Sequence, residues 1–87
     1  MINQILNQFQ DLFNGKIKPF KFSIDMPKFI CDNYDEIENE NAEIAQIFND
    51  YVPEICDEGE PGFDPTHMIA ELKKVYDKAK AIYDKAE

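Results

Sequence analysis

Arginine and tryptophan are absent from this chain of 87 residues, and histidine and serine occur once each. No run of consecutive apolar residues exceeds three, whereas a membrane-spanning helix needs about 18 or more. The first ten residues, MINQILNQFQ, have neither the basic start nor the continuous apolar stretch of a secretory signal. We therefore expect a cytoplasmic protein that makes no contact with a membrane.

Metal ligands and catalytic motifs are equally scarce. A zinc site needs about four ligands, and this chain has one histidine, His67, and no CxxC pair. Cys31 and Cys56 are predicted to be reduced, small core residues. The three glycines fall at predicted helix ends or in a turn, so no glycine-rich phosphate loop is present. We predict a single domain over residues 1–87 that has no enzymatic activity, no metal site and no cofactor.

Positive charge is confined to the two ends of the chain. Nine lysines face eighteen acidic residues, which gives a net charge of −9. Between Phe29 and Leu72 there are thirteen carboxylates and no lysine. Such a field repels nucleic acid and anionic lipid and attracts a basic partner. The plainer interpretation is that the acids only keep a small protein soluble. It explains the net charge equally well, but it explains the uneven distribution of charge along the chain less well.

Apolar residues recur at helical spacing in four segments. The first helix is predicted from Ile2 to Phe13, and Gly15 ends it because glycine adopts the left-handed conformation common at helix C-termini. The segment from Lys16 to Met26 fits either a short extended stretch or an irregular first turn. Pro19 and Pro27 argue against one continuous helix there.

The second and third helices are predicted from apolar periodicity and from proline. We expect the second helix from about Met26 to about Glu38. The third begins at Asn39 or Asn41, and Pro53 either ends it or kinks its last turn.

An acidic loop is predicted from Asp57 to Phe63, where glycine and proline are dense. Asp64 followed by Pro65 has the pattern of a helix N-cap and first residue, and the last helix is predicted to run from there to the end of the chain. The predicted fold is all-α: a four-helix antiparallel bundle with an acidic loop between helices 3 and 4.

A protein-binding role follows more readily from this pattern than a catalytic one. Carboxylates spaced along a helix and the adjoining turn can imitate a row of phosphates and occupy the basic groove of a protein that handles nucleic acid. An aromatic anchor near the centre of such an interface supplies affinity. Tyr51, Phe63 and Tyr34 are candidate anchors, with core packing as the alternative for each.

Several features together resemble a known family. They are Leu12–Ile17 at the end of the first helix, Phe22, the acidic stretch Asp32–Glu40, the segment Ile47–Asp50, and Asp64 opening a helix with Leu72 and Val75. The chain resembles the colicin D immunity protein family, which includes immunity proteins of contact-dependent growth inhibition systems.

The resemblance implies a four-helix bundle that binds a cognate toxin nuclease domain, commonly one that cleaves tRNA, and blocks its basic active site without binding nucleic acid itself. It also implies inhibitory carboxylates near the end of the third helix and in the loop that follows. In this sequence the corresponding residues are Asp50, Glu54, Asp57, Glu58 and Glu60. With the anchors Tyr51 and Phe63, they form the predicted partner-binding site.

Two other interpretations stay open. One is a phage-type mimic of nucleic acid that inhibits a host defence nuclease, for which the physical chemistry is the same and only the partner differs. The other is a homodimeric structural module, in which the apolar stripe of the last helix mediates self-association and the acids serve only solubility. For an immunity protein, self-association is possible but not required.

Overall fold

The computed structural model describes residues 1–57 and 64–86, and these residues are helical with no strand among them. They form α1 (Ile2–Phe13), α2 (Pro19–Asp32), α3 (Tyr34–Glu40), α4 (Ala42–Cys56) and α5 (Pro65–Ala86). The predicted all-α class is confirmed. The predicted number of helices is wrong, because the described residues contain five rather than four.

The segment from Lys16 to Met26, left open between extended and helical, is helical from Pro19 onwards. The predicted start of the second helix at Met26 was therefore wrong. Pro19 occupies the first helical position, where its missing N–H would have no partner within the helix. The preceding residue, Lys18, is extended with ψ of 135°, as expected before a proline.

Pro27 lies inside α2 without ending it. An interior proline costs a helix about 3 kcal/mol, because it removes one hydrogen bond and crowds the preceding turn. Phe22, Met26 and Ile30 are buried on the inner face of the same helix. Each fully buried side chain of this size contributes about 1.5–3 kcal/mol, so the packing of α2 outweighs the effect of its proline.

Two asparagines mark helix boundaries in the region where the second and third helices were predicted. Asn33 separates α2 from α3, and its Nδ2 donates to the carbonyl of Phe29 at 2.8 Å. Asn41 is the N-cap of α4, and its Oδ1 accepts from the N–H of Ile44 at 3.1 Å. The predicted helix from Met26 to Glu38 is therefore two helices, whereas the alternative that placed the next helix boundary at Asn41 is confirmed.

Pro53 neither ends α4 nor shortens it, since the helix continues to Cys56. Both Pro53 and Asn49, whose carbonyl loses its helical donor, are exposed. Water can hydrate that carbonyl, so the proline is tolerated on the outer face of the helix.

The core is centred on Phe9 of α1, whose side chain is fully buried. Its ring lies 5.2 Å from the ring of Phe22 in α2, 5.9 Å from that of Phe48 in α4 and 6.2 Å from that of Tyr76 in α5. One side chain thus contacts three other helices. Around it, α4 packs against α2, α3 and α5, and α1 packs against α5.

The last helix begins as predicted. Asp64 accepts a hydrogen bond from the N–H of Thr66 at 3.0 Å, and α5 starts at Pro65. The apolar stripe of α5 is buried in the core, and its fully or nearly buried members are Met68, Leu72, Val75, Tyr76 and Ala79. This contradicts the interpretation in which that stripe mediates a homodimer, because a folded chain does not present it to a second copy.

Glu40, at the end of α3, ties that helix to the start of α1. Its Oε1 accepts from the N–H of Ile2 at 3.1 Å, and its Oε2 lies 3.0 Å from the amino nitrogen of Met1. Burial raises the pKa of Glu40, but the hydrogen bond from Ile2 and the amino group together lower it below its ordinary value of 4.5. Ionised Glu40 therefore stabilises the fold above about pH 4.5, and this contribution is lost as the pH falls through the lowered pKa.

We expect Phe9→Ala to lower the free energy of unfolding by about 3–5 kcal/mol, because it leaves a cavity between four helices. Phe9→Leu should cost less and remain folded. Urea unfolding followed by circular dichroism measures both. Ile24→Ala, at a side chain 55% exposed, is the matched control and should change stability by less than about 0.5 kcal/mol. Equal effects at the two positions would contradict a core centred on Phe9.

We expect Glu40→Gln to destabilise the protein at neutral pH and to have a smaller effect near pH 3, because protonation of the wild-type carboxylate removes the same charge as the pH falls through its lowered pKa. Urea unfolding at the two pH values provides the comparison. Glu36→Gln, an exposed acid of the same helix, should show no such pH-dependent difference. A Glu40→Gln defect of constant size from pH 7 to pH 3 would show that its charge does not matter.

Candidate protein-binding surface

A row of carboxylates runs along the outer face of α4. Glu43, Asp50, Glu54 and Asp57 are all exposed. Their spacings of seven, four and three residues place them on one side of a helix with 3.6 residues per turn. At 1.5 Å per residue the row is about 21 Å long. We call these four residues the acidic row.

The acidic row is not neutralised by the lysines nearby. Within residues 1–57 and 64–86, none of its four carboxylates forms an ion pair. On α5, by contrast, lysines pair with acids of their own helix, and these pairs are Lys73 with Asp77 at 2.8 Å, Lys74 with Glu71 at 3.2 Å, and Lys80 with Asp84 at 2.9 Å. The uncompensated negative charge therefore faces outward from α4.

Tyr51 lies beside the acidic row, on the side of α4 that faces α5. Its side chain is 44% exposed, which makes it one of the few large apolar residues on the described surface. The Nζ of Lys78 lies 5.7 Å from the centre of its ring, within the range of a cation–π contact. The face of this ring is thus already oriented towards a cation.

Two shallow cavities adjoin Tyr51 in the groove between α4 and α5. One, of about 210 Å³, has an apolar floor that includes Ile47, Ile55 and Val75, with Glu71, Lys74 and Lys78 at its rim. The other, of about 390 Å³, is lined by Tyr51, Glu54, Ile55, His67 and Glu71. Tyr51 and Ile55 form the ridge between them, so an apolar depression and an acidic one lie side by side.

Negative charge extends from the acidic row towards α3. Burial raises the pKa of Tyr34, and the carboxylates of Glu38, Asp50 and Asp35 raise it further. Asp50 of α4 therefore lies close enough to Tyr34 of α3 to affect its pKa.

The structure brings together four of the predicted partner-binding residues: Asp50, Tyr51, Glu54 and Asp57 all lie on the exposed side of α4. Glu58, Glu60 and Phe63 lie outside the described residues. Glu43 was missed, although its distance of seven residues from Asp50 amounts to two helical turns and could have revealed it. Glu38, which raises the pKa of Tyr34 together with Asp50, was missed because the packing of α3 against α4 brings their charges to the same tyrosine.

The histidine and the candidate metal ligands were also located in the described part of the chain. His67 is exposed, and its Nε2 lies 3.8 Å from Oε1 of Glu71. Among residues 1–57 and 64–86, no three histidine, cysteine or acidic side chains come together to hold a metal ion. None of the described helices combines the length and the apolar character needed to cross a bilayer.

Comparison of the chain with protein-family models, with curated proteins and with solved structures finds no match. The resemblance to colicin D immunity proteins therefore stays a prediction.

The two cysteines differ sharply in their surroundings. Cys56, on the inner face of α4, is buried as predicted, and burial raises the pKa of its thiol to about 12. Cys31 is exposed on α2, so its prediction as a core residue was wrong. Its helix packs through Met26 and Ile30 instead and turns Cys31 towards solvent.

We expect one thiol per folded chain to react rapidly with DTNB at pH 8. Cys31 is accessible, whereas Cys56 is shielded and remains protonated at that pH, and only the thiolate reacts. Cys31→Ser should abolish the rapid phase, and Cys56→Ser should leave it unchanged. Two rapidly reacting thiols in the folded protein would contradict the burial of Cys56.

Proposed function

We propose that this chain is an immunity protein that binds the basic cleft of a cognate bacterial toxin nuclease and thereby blocks the nuclease's access to RNA. The observation that carries the proposal is the acidic row on α4: four exposed carboxylates without ion-pair partners in the described residues, beside an exposed tyrosine. The resemblance of the sequence to colicin D immunity proteins supports the same choice of partner.

Unpaired carboxylates on a rigid helix are suited to replace phosphates in a basic groove. A nuclease cleft positions its lysines and arginines to contact a chain of phosphates. The acidic row presents negative charges along about 21 Å of helix and needs no rearrangement to do so. Because the four carboxylates make no ion pair with residues 1–57 or 64–86, no such pair has to be broken before binding.

The net charge and the tyrosine act at different stages of binding. The net charge of −9 attracts a basic partner over long distances and raises the association rate. Tyr51 and the apolar floor of Ile47, Ile55 and Val75 offer surface that a partner can desolvate, which slows dissociation.

The proposal is tested by using the tagged chain as bait in extracts of its own strain, at about 50 and about 300 mM salt. We expect recovery of a basic domain that cleaves tRNA once it is released from the chain by denaturation and refolded. Its association rate with the chain should fall by about tenfold or more between the two salt concentrations, and its dissociation rate should change less.

A matched pair of variants locates the surface. Asp50→Asn, Glu54→Gln and Asp57→Asn together should weaken binding by about a hundredfold and abolish protection of cells that express the nuclease. Asp32→Asn, Asp77→Asn and Asp84→Asn together change the net charge equally but lie away from the acidic row, and this variant should still protect. If both triple variants fail alike, net charge rather than the acidic row is responsible. If neither fails, the site is wrong.

A further inference from the structure

The helix α2 carries a second apolar stripe, which faces away from the core. Phe20 is 37% exposed and Ile24 is 55% exposed. Pro27 is partly exposed, and Cys31 is exposed. Their spacings of four, three and four residues place all four on one side of the helix, about 16 Å long. We call these residues the outer stripe of α2.

The outer stripe has the spacing by which two helices pack against each other. Steps of four and three residues are those of the core positions in a coiled coil. The opposite side of α2 already packs into the protein through Phe22, Met26 and Ile30. Nothing within the described residues covers the outer side, so α2 is a helix with one partnered and one unpartnered apolar face.

The charges at the two ends of α2 are opposite. Lys16, Lys18 and Lys21 lie at its N-terminal end, where they line one depression. Asp32 lies at its C-terminal end, and Asp35 and Glu36 follow in the first turn of α3. Among the described residues, none of these six side chains forms an ion pair. A second α2 running antiparallel would place each basic end against an acidic end.

The flank of the outer stripe is also complementary to itself. Lys21, Asp25, Lys28 and Asp32 follow one another along one side of the stripe at steps of four, three and four residues. Their charges alternate and cancel, so this flank attracts neither a strongly basic nor a strongly acidic surface. If a second copy of α2 packs antiparallel, Lys21 of one copy lies near Asp32 of the other, and Asp25 lies near Lys28. The register that pairs these charges is almost the same as the register that pairs the apolar residues.

We propose that α2 mediates a weak, two-fold symmetric dimer in which the outer stripes of two copies pack antiparallel. In this arrangement Ile24 of one copy lies against Pro27 of the other, and Phe20 lies against Cys31. A two-fold axis near the middle of α2 generates both sets of contacts from one surface. A parallel arrangement is excluded because it would bring the three lysines of each copy together.

The dimer should be weak at low salt and strengthen with salt. A stripe of four residues buries less area than a standard protein interface, so we expect a dissociation constant on the order of 100 µM. Each copy carries a charge of −9, and this long-range repulsion is screened by salt. Salt does not weaken the apolar contacts of the stripe, and it screens the long-range repulsion more than the short-range attraction between lysines and acids of the two flanks. Screening therefore favours association.

Sedimentation velocity of the purified chain, from about 5 to about 500 µM at about 20 and about 300 mM salt, tests the proposal. We expect a monomer–dimer equilibrium that is tighter at the higher salt. Ile24→Asp should raise the dissociation constant at least about tenfold, since it removes apolar surface from the centre of the interface. Tyr51→Asp, the same charge change at an exposed residue of α4, should leave it unchanged.

A charge exchange tests the antiparallel arrangement separately. Lys21→Asp should weaken the dimer, and adding Asp32→Lys to it should restore the dimer at an unchanged net charge. Circular dichroism establishes that each variant is folded. A wild-type monomer at every concentration, a dimer that survives Ile24→Asp, or a dimer lost through Tyr51→Asp would each overturn the proposal. None of these results bears on the acidic row, so the proposed immunity function is decided independently.

Discussion

The contact of Phe9 with rings from three other helices is the interaction on which the rest of the structure depends. A chain of this size has little apolar surface to bury, and here one side chain joins α1 to α2 through Phe22, to α4 through Phe48 and to α5 through Tyr76. Because these contacts lie inside, the outer side of α4 takes no part in core packing. It can therefore carry charged side chains without burying them.

Crowding carboxylates on that outer side has an energetic cost. Like charges four residues apart on a helix destabilise it by about 0.2–0.5 kcal/mol, and Asp50 and Glu54 are such a pair. On α5, residues four apart carry opposite charges that attract each other, since Lys73 pairs with Asp77 and Lys80 pairs with Asp84. Within the described residues, lysines of α5 thus pair with acids of their own helix, whereas the four carboxylates of the acidic row form no ion pair.

Prediction from the sequence succeeded where local chemistry decides and failed where packing decides. The bounds of α1 and the start of α5 follow from apolar periodicity and from residues at the helix ends, which act within a few positions. Pro27 was misread: it weakens α2 locally, but buried residues on the same helix more than compensate. Pro53 does not end α4, because the helix continues to Cys56. The carboxylates of α4 could be identified from their spacing, whereas the proximity of Tyr34 to Asp50 depends on contacts between helices.

Helical character, a strongly acidic middle and the lack of the usual catalytic motifs follow from composition and from periodicity along the chain, so they could be predicted before any fold was known. Which apolar stripe is covered could not, because it depends on how the helices pack. The stripe of α5 is buried, whereas Phe20, Ile24 and Cys31 of α2 face solvent. Periodicity shows that a helix has an apolar side but not what lies against that side, because burial is a property of neighbours distant in the chain.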